Sequence, residues 1–236
     1  MSGAGPMLQR VARYFSARPL LLLLLNADFV FIAVHVWLWT KGNVPWDQRD
    51  GSNPEKLQYV KWLTSTLFCA WAFARQRDAL YLAWAALFFY LLLDASLELH
   101  ETFSDALAQS LQVAARYGLR GKDFGEIAVS LGAATVLLGL ITLCYRRSEN
   151  SAARALTWAL LPWLAVLAFC GIVMDMAKRQ IRMFYGGEWA VLIAEVFEDG
   201  GEMIAASFLT ATVAYMVLRS GADDSRPSSA AAGLRE

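Results

Sequence analysis

The run from Ala79 to Leu99, ALYLAWAALFFYLLLDASLEL, has no charged side chain before Asp94, and its reading decides the fold class. Crossing the hydrocarbon core of a bilayer takes roughly 20 predominantly apolar residues in a helix, and this run supplies that length. Five further stretches are of the same or nearly the same kind: Pro19–Thr40, Leu57–Ala74, Ile127–Tyr145, Ala155–Met176 and Trp189–Leu218. The expected fold is all-α, a polytopic membrane helix bundle of about six transmembrane helices occupying 19–219, because a helix satisfies its own backbone groups in lipid. Residues 1–18 are expected to form a cytoplasmic N-terminal segment. Residues 220–236, rich in Ser, Ala, Gly and charge, are expected to form a disordered tail.

Composition agrees with that reading. Of 236 residues, 57% are hydrophobic and 18% charged, where a soluble domain carries about 45–50% and about 25%. A soluble enzyme is disfavoured. Lys and Arg total 21 and so do Asp and Glu, so no net basic excess points to nucleic acid, and none is expected as a partner. Cys69, Cys144 and Cys170 stand singly in apolar segments, which shows neither a disulfide framework nor a zinc motif.

Three details refine the organisation. The arginines before the first leucine run superficially resemble a signal peptide, but the apolar stretch continues through Val30–Trp39 without a small-residue cleavage site, so it is read as the first span. In the short second stretch, Lys61 is expected to snorkel to the headgroups. Between the third and fourth spans, Phe103, Leu107, Leu111 and Ala114 share one helical face, which predicts an interfacial amphipathic helix over Phe103–Leu119 or an extension of the third span. Arg75, Arg77, Arg146, Arg147 and Arg154 flank short turns, and the positive-inside rule then puts both termini in the cytoplasm. Trp37, Trp39 and Trp46 are expected as belt aromatics on the outer side.

The acids are the unusual feature. Asp94, Glu98 and Glu101 are spaced i, i+4, i+7, so on one continuous helix they fall within roughly 40° of each other. Glu195, Asp199 and Glu202 repeat that spacing, with Glu198 one step around. The topology brings both groups, together with Asp175, His100 and His35, to the outer half of the membrane. An ionised carboxylate there costs a few kcal/mol even on lenient scales, so protonation, a base, water or a cation must compensate it. The bases available are Lys61, Lys178, Arg179 and Arg182. For Glu98 and Glu188, simple interfacial placement is the better reading, and for Asn26 and Asp28, deeper in the first span, interhelical hydrogen bonding. Gly200 and Gly201 within the acidic run allow close packing or a local break.

Carboxylates with one or two imidazoles are ligands for hard or borderline divalent ions, and helix bundles hold such sites between facing helices. The candidate metal ligands are Asp94, His100, Glu101, Asp175, Glu198 and Glu202, with His35 in reserve. The Glu-x-x-His pair of soluble di-iron bundles is absent; His100 and Glu101 are adjacent instead.

At these residues Leu93-Asp94-Ala95-Ser96-Leu97-Glu98-Leu99-His100-Glu101 and Glu198-Asp199-Gly200-Gly201-Glu202-Met203 resemble two signatures of a group of uncharacterised bacterial six-helix integral membrane proteins. In that group a helix ends in Asp, five residues and His-Glu, and the last helix opens with an acidic pair followed by Glu-Met. The resemblance, which covers the third to the sixth span, implies that Asp94, His100, Glu101, Glu198, Asp199 and Glu202 are the shared polar positions, with Asp175 as the acid late in the penultimate helix. It implies residence in a bacterial inner membrane and no established activity.

Three functions are open at this point. The first is a membrane-embedded divalent-metal site, with catalysis on a lipid-like substrate. The second is a cation or proton transporter or channel using the same acids. The third is a scaffold whose acids pair with Lys178, Arg179 and Arg182. The expected partners are membrane lipid and a cation.

Overall fold

In the computed structural model, which describes residues 17–41, 53–110, 120–184 and 187–223, the elements are helices and no strand occurs among the described residues. In chain order they are α1 (Ala17–Thr40), α2 (Asn53–Gln76), α3 (Ala79–Leu97), α4 (Leu99–Ser110), α5 (Gly121–Arg147), α6 (Ser151–Ala168), a π-helical turn (Phe169–Met174), α7 (Asp175–Phe184) and α8 (Glu188–Asp223). The expectations for 1–16, for most of the tail, for Trp46 and for residues 111–119 of the interfacial helix lie outside the described residues.

Five segments are long and apolar enough to cross a membrane: Arg18–Thr40, Ala79–Leu97, Gly121–Arg147, Ser151–Phe184 and Glu188–Ser220. They mark an integral membrane protein. The helix α2 packs among them without meeting that standard, because Glu55, Lys56, Lys61 and Arg75 dilute its apolar character. The centre of the bundle is α8, which packs against α1, α2, α6 and α7. Its most apolar window is 56% buried, against 6% for α5 at the periphery. Trp62, Tyr81, Trp84 and Phe88 fill the α2–α3 side of the core, with Leu156, Leu160, Leu209 and Val213 on the α6–α8 side.

One end of the bundle is tied by short polar turns. Asp78 caps α3 by accepting from the Leu80 amide at 2.8 Å, and Asn150 caps α6 by accepting from the Ala152 amide at 2.9 Å. The same loops are joined to each other: the Ser148 hydroxyl donates to Asp78 at 2.6 Å and the Asn150 amide to Gln76 at 2.6 Å, while Gln76 donates to Ser220 at 3.0 Å. These contacts bring the α2–α3 turn, the α5–α6 turn and the end of α8 together.

Lys61 does not snorkel. With α2 beginning at Asn53, it lies more than two turns inside the helix, 1% exposed, and its ammonium meets Asp28 of α1 at 2.5 Å. Lys61 also donates to the Met203 carbonyl of α8 at 3.0 Å, and Ser207 donates to Asp28 at 2.6 Å. Asp28 is interhelical, as expected, but in an ion pair rather than a neutral hydrogen bond.

The third span stops earlier than its sequence suggests. Glu98 takes a left-handed conformation (φ 50°) and ends α3, after which α4 starts in a new direction. Asp94 accepts the His100 amide at 2.8 Å and thereby satisfies an early N–H of α4. The segment after Leu97 is therefore a separate helix rather than an extension of α3. In contrast, the fifth span runs on through the π-helical turn into α7.

Candidate functional site

The break at Glu98 dissolves the anticipated stripe of Asp94, Glu98 and Glu101, because that spacing aligns side chains only on an unbroken helix. Glu98 is exposed, and the side chain of Glu101 lies outside the described residues. Asp94 and His100 are brought together instead: Oδ2 of Asp94 is 3.2 Å from Nδ1 of His100, in addition to the backbone contact. A carboxylate at Nδ1 orients the imidazole and favours the tautomer with its proton on that nitrogen.

On α8 the acids separate to different sides. Glu195 and Asp199 line a small cavity of about 40 Å³ with His35, Ile32 and Met203, facing α1. Glu195 is 3.9 Å from Nε2 of His35 and accepts from Arg182 at 3.1 Å. Glu198 and Glu202, one turn apart, face α6 and α7. Glu198 meets the Lys178 ammonium at 2.5 Å. Glu202 therefore groups with Glu198 and not with Glu195 and Asp199, and His35 stands across the helix from it. Gly200 and Gly201 do not break α8; they are points of close approach, to Ile32 and Cys170 respectively.

Asp175 sits in a dense ion-pair cluster. Arg179 pairs with Asp175 at 2.7 Å, with Glu126 at 2.9 Å and with Asp123, and Lys178 is 3.8 Å from Asp175. Arg120 closes on Asp123 at 3.0 Å. Sequence reasoning passed over Asp123 and Glu126, although Asp123 is among the most buried acids. Their place at the entry to an apolar run was the available signal, since an acid in the first turn of a helix also complements its dipole.

Glu202 is the exception. Among the described residues its carboxylate has no hydrogen-bond or ion-pair partner. It lies against the backbone of Gly171 in the π-helical turn, where a Cβ would overlap it. Such turns commonly mark functional sites, and here the glycine makes room for a carboxylate.

Two cavities meet at this carboxylate. The first, about 360 Å³, is mostly apolar and runs between α3, α5 and α6, lined by Trp62, Leu87, Leu91, Leu137, Leu164 and Leu167 with Tyr90, Asp94, His100 and Glu202. The second, about 350 Å³, is charged, lined by Glu126, Asp175, Lys178, Arg179 and Glu198. Both include His100, Ser130, Gly171, Ile172 and Glu202. Sequence reasoning missed the apolar wall, because lining a cavity and filling a core call for the same side chains.

Of the six candidate ligands, Asp94, His100 and Glu202 share the first cavity, while Asp175 and Glu198 line the second beside Lys178 and Arg179. Among the described residues no three His, Cys, Asp or Glu side chains are grouped so as to hold a metal ion. Chemically, the arrangement offers an oriented imidazole–carboxylate pair and an unpartnered carboxylate at the boundary between an apolar and a charged space.

Comparison with curated proteins and with solved structures finds no match. Residues 56–216, which contain α3 to α7, the site acids and most of α8, match the family described as a domain of unknown function, DUF8692, and the chain belongs to that family.

Proposed function

We propose that the protein is a six-span membrane protein of the bacterial inner membrane, with both termini cytoplasmic, whose embedded carboxylate–imidazole site takes a lipid-like molecule. The observation that carries this reading is Glu202, an unpartnered carboxylate where a largely apolar cavity of about 360 Å³ joins a charged one of about 350 Å³. Ligand cavities are typically apolar with a few convergent polar groups, in the range of about 300–1,000 Å³. A lipid-like molecule has the matching division, with its chain among leucines and its polar end at Asp94, His100 and Glu202. The Asp94–His100 pair supplies a positioned base for proton transfer at that end.

The test is lipid retention. Protein purified in a mild detergent is expected to carry stoichiometric lipid by native mass spectrometry, and Leu164→Trp, which fills the apolar cavity, is expected to lose it. Equal lipid in both, or none in either, overturns the reading.

A divalent ion at this site is the narrower form of the proposal. Asp94, His100 and Glu202 would hold it with Glu101, and Asp175 and Glu198 would contribute only by releasing Lys178 and Arg179. Metal found by elemental analysis at one per chain, and lost in the Glu101→Ala, Glu202→Ala double variant, supports that form; no metal in either protein removes it. Cation flux into liposomes that Glu202→Gln abolishes in a folded protein would instead assign the acids to transport.

A further inference from the structure

The cavity beside Glu202 is flanked by two consecutive helices that touch near their turn, where Tyr145 accepts from Trp158 at 2.9 Å and from Arg154 at 3.3 Å, and have little backbone contact beyond it. The turn 148–150 joins α5 to α6, yet beyond Tyr145 and Trp158 the helices part, and α5 rests instead on α3 and α4. Ser130, Ala134, Leu137 and Leu138 line one wall of the gap, and Leu164, Leu167 and Ala168 the other. These positions recur at helical spacing, so each helix turns one continuous face to the gap. Leu138 and Ala168 are exposed. In a bilayer that exposure faces acyl chains, which makes the gap a lateral cleft.

The carboxylates around its inner end are unequally partnered. Glu126 and Asp175 share Arg179, Glu198 pairs with Lys178, and Asp94 is hydrogen-bonded to His100. Glu202 alone has neither a hydrogen bond nor a close ion pair among the described residues; Lys178 and His100 act on it only at longer range. Leaving it so in a low-dielectric site is costly, and an arriving anion would add repulsion to that cost. An arriving ammonium group removes it. Trp62 and Tyr90 line the same cavity, and aromatic rings attract a cation as well.

We infer that the cleft between α5 and α6 takes from the bilayer a single-chain amphiphile with an ammonium head, which pairs with Glu202 while the chain lies along Leu137, Leu164 and Leu167. The inference rests on the lipid-like reading above and adds the sign of the head group and the route of entry. Discrimination comes from charge, since an alcohol of equal chain length leaves Glu202 uncompensated and a carboxylate opposes it.

The test uses the full chain in a neutral maltoside detergent with three labelled probes of one chain length: dodecylamine, dodecanol and dodecanoate. Dodecylamine is expected to bind at least about tenfold more tightly than dodecanol, about 1.4 kcal/mol, and dodecanoate most weakly. Glu202→Gln is expected to erase the preference for the amine and leave dodecanol binding within about twofold. Leu164→Trp is expected to remove binding of all three. Equal binding of amine and alcohol by the wild-type protein overturns the inference without recourse to a variant, as does an amine preference that survives Glu202→Gln. If binding is lost in Leu164→Trp but is indifferent to head-group charge, the lipid-like reading stands and the inference falls. If no probe binds the wild-type protein above detergent background, both fall.

Discussion

Lys61 and Asp28 meet at 2.5 Å with 1% and 0% of their side chains exposed, in the middle of α1, α2 and α8. Removing two charges from water is expensive, and what holds this pair is the completeness of its contacts. Ser207 takes the second carboxylate oxygen, and the Met203 carbonyl takes another ammonium proton. Ser65 and Thr210 continue the polar strip one turn further, with their hydroxyls 3.1 Å apart. Lys61→Met would strand the Asp28 carboxylate and is expected to cost about 3–5 kcal/mol, read as a lowered thermal midpoint in detergent. The Asp28→Leu, Lys61→Met double variant is expected to recover most of that loss; equal losses in single and double variants would show that the pair's charges are not what matters. From the sequence, Asp28 was legible as an interhelical group, but its partner was not. Lys61 lies four residues into its apolar stretch, which suggested an interfacial position, while the helix itself starts at Asn53 and carries the lysine inward.

At the scale of elements, the contact between α8 and the π-helical turn sets the site. Gly171 makes room for the Glu202 carboxylate and Gly201 for Cys170, so the two segments interlock through reciprocal glycine positions. A Cβ at Gly171 meets only the end of a flexible side chain, so Gly171→Ala is expected to move the Glu202 carboxylate rather than unfold the protein. Lipid retention should fall while the thermal midpoint changes little, because the helical preference for Ala over Gly, about 1 kcal/mol, offsets the crowding. Retention unchanged in this variant would mean that the Gly171–Glu202 contact does not set the site. Gly132→Ala on α5, where nothing lies within 4 Å, is the control and should raise the midpoint. The sequence showed glycines beside acids in 198–202, yet it could not pair them with residues 169–174. A π-helical turn adds a residue to one turn of an otherwise continuous apolar run, and such a run reads the same with or without it.

For the whole molecule, the proposed orientation rests on the arginines at the short turns. If both termini are cytoplasmic, the turn 148–150 faces the cytoplasm and α4 the opposite side. In intact cells, Glu149→Cys is expected to react only with a membrane-permeant maleimide, and Gln109→Cys also with an impermeant one; the reverse pattern would invert the topology. The buried native Cys69 and Cys170 should stay silent in this assay. The sequence by itself determined that the chain is an all-helical membrane protein. Run length and hydropathy are local quantities, and a bilayer imposes helices on apolar runs whatever their neighbours are. It also put Asp94 on α3 and the acids of 195–202 on α8, whereas Glu101 falls on α4, beyond the break at Glu98, and Asp175 opens α7. Only the tertiary structure decided which of them are satisfied: Asp175 and Glu198 by Lys178 and Arg179, Asp94 by His100, and Glu202 by none of the described residues. Pairing depends on helix rotation, on the break at Glu98 and on the π-helical turn. Each of these reorients side chains by a fraction of a turn, and hydropathy along the chain does not record it.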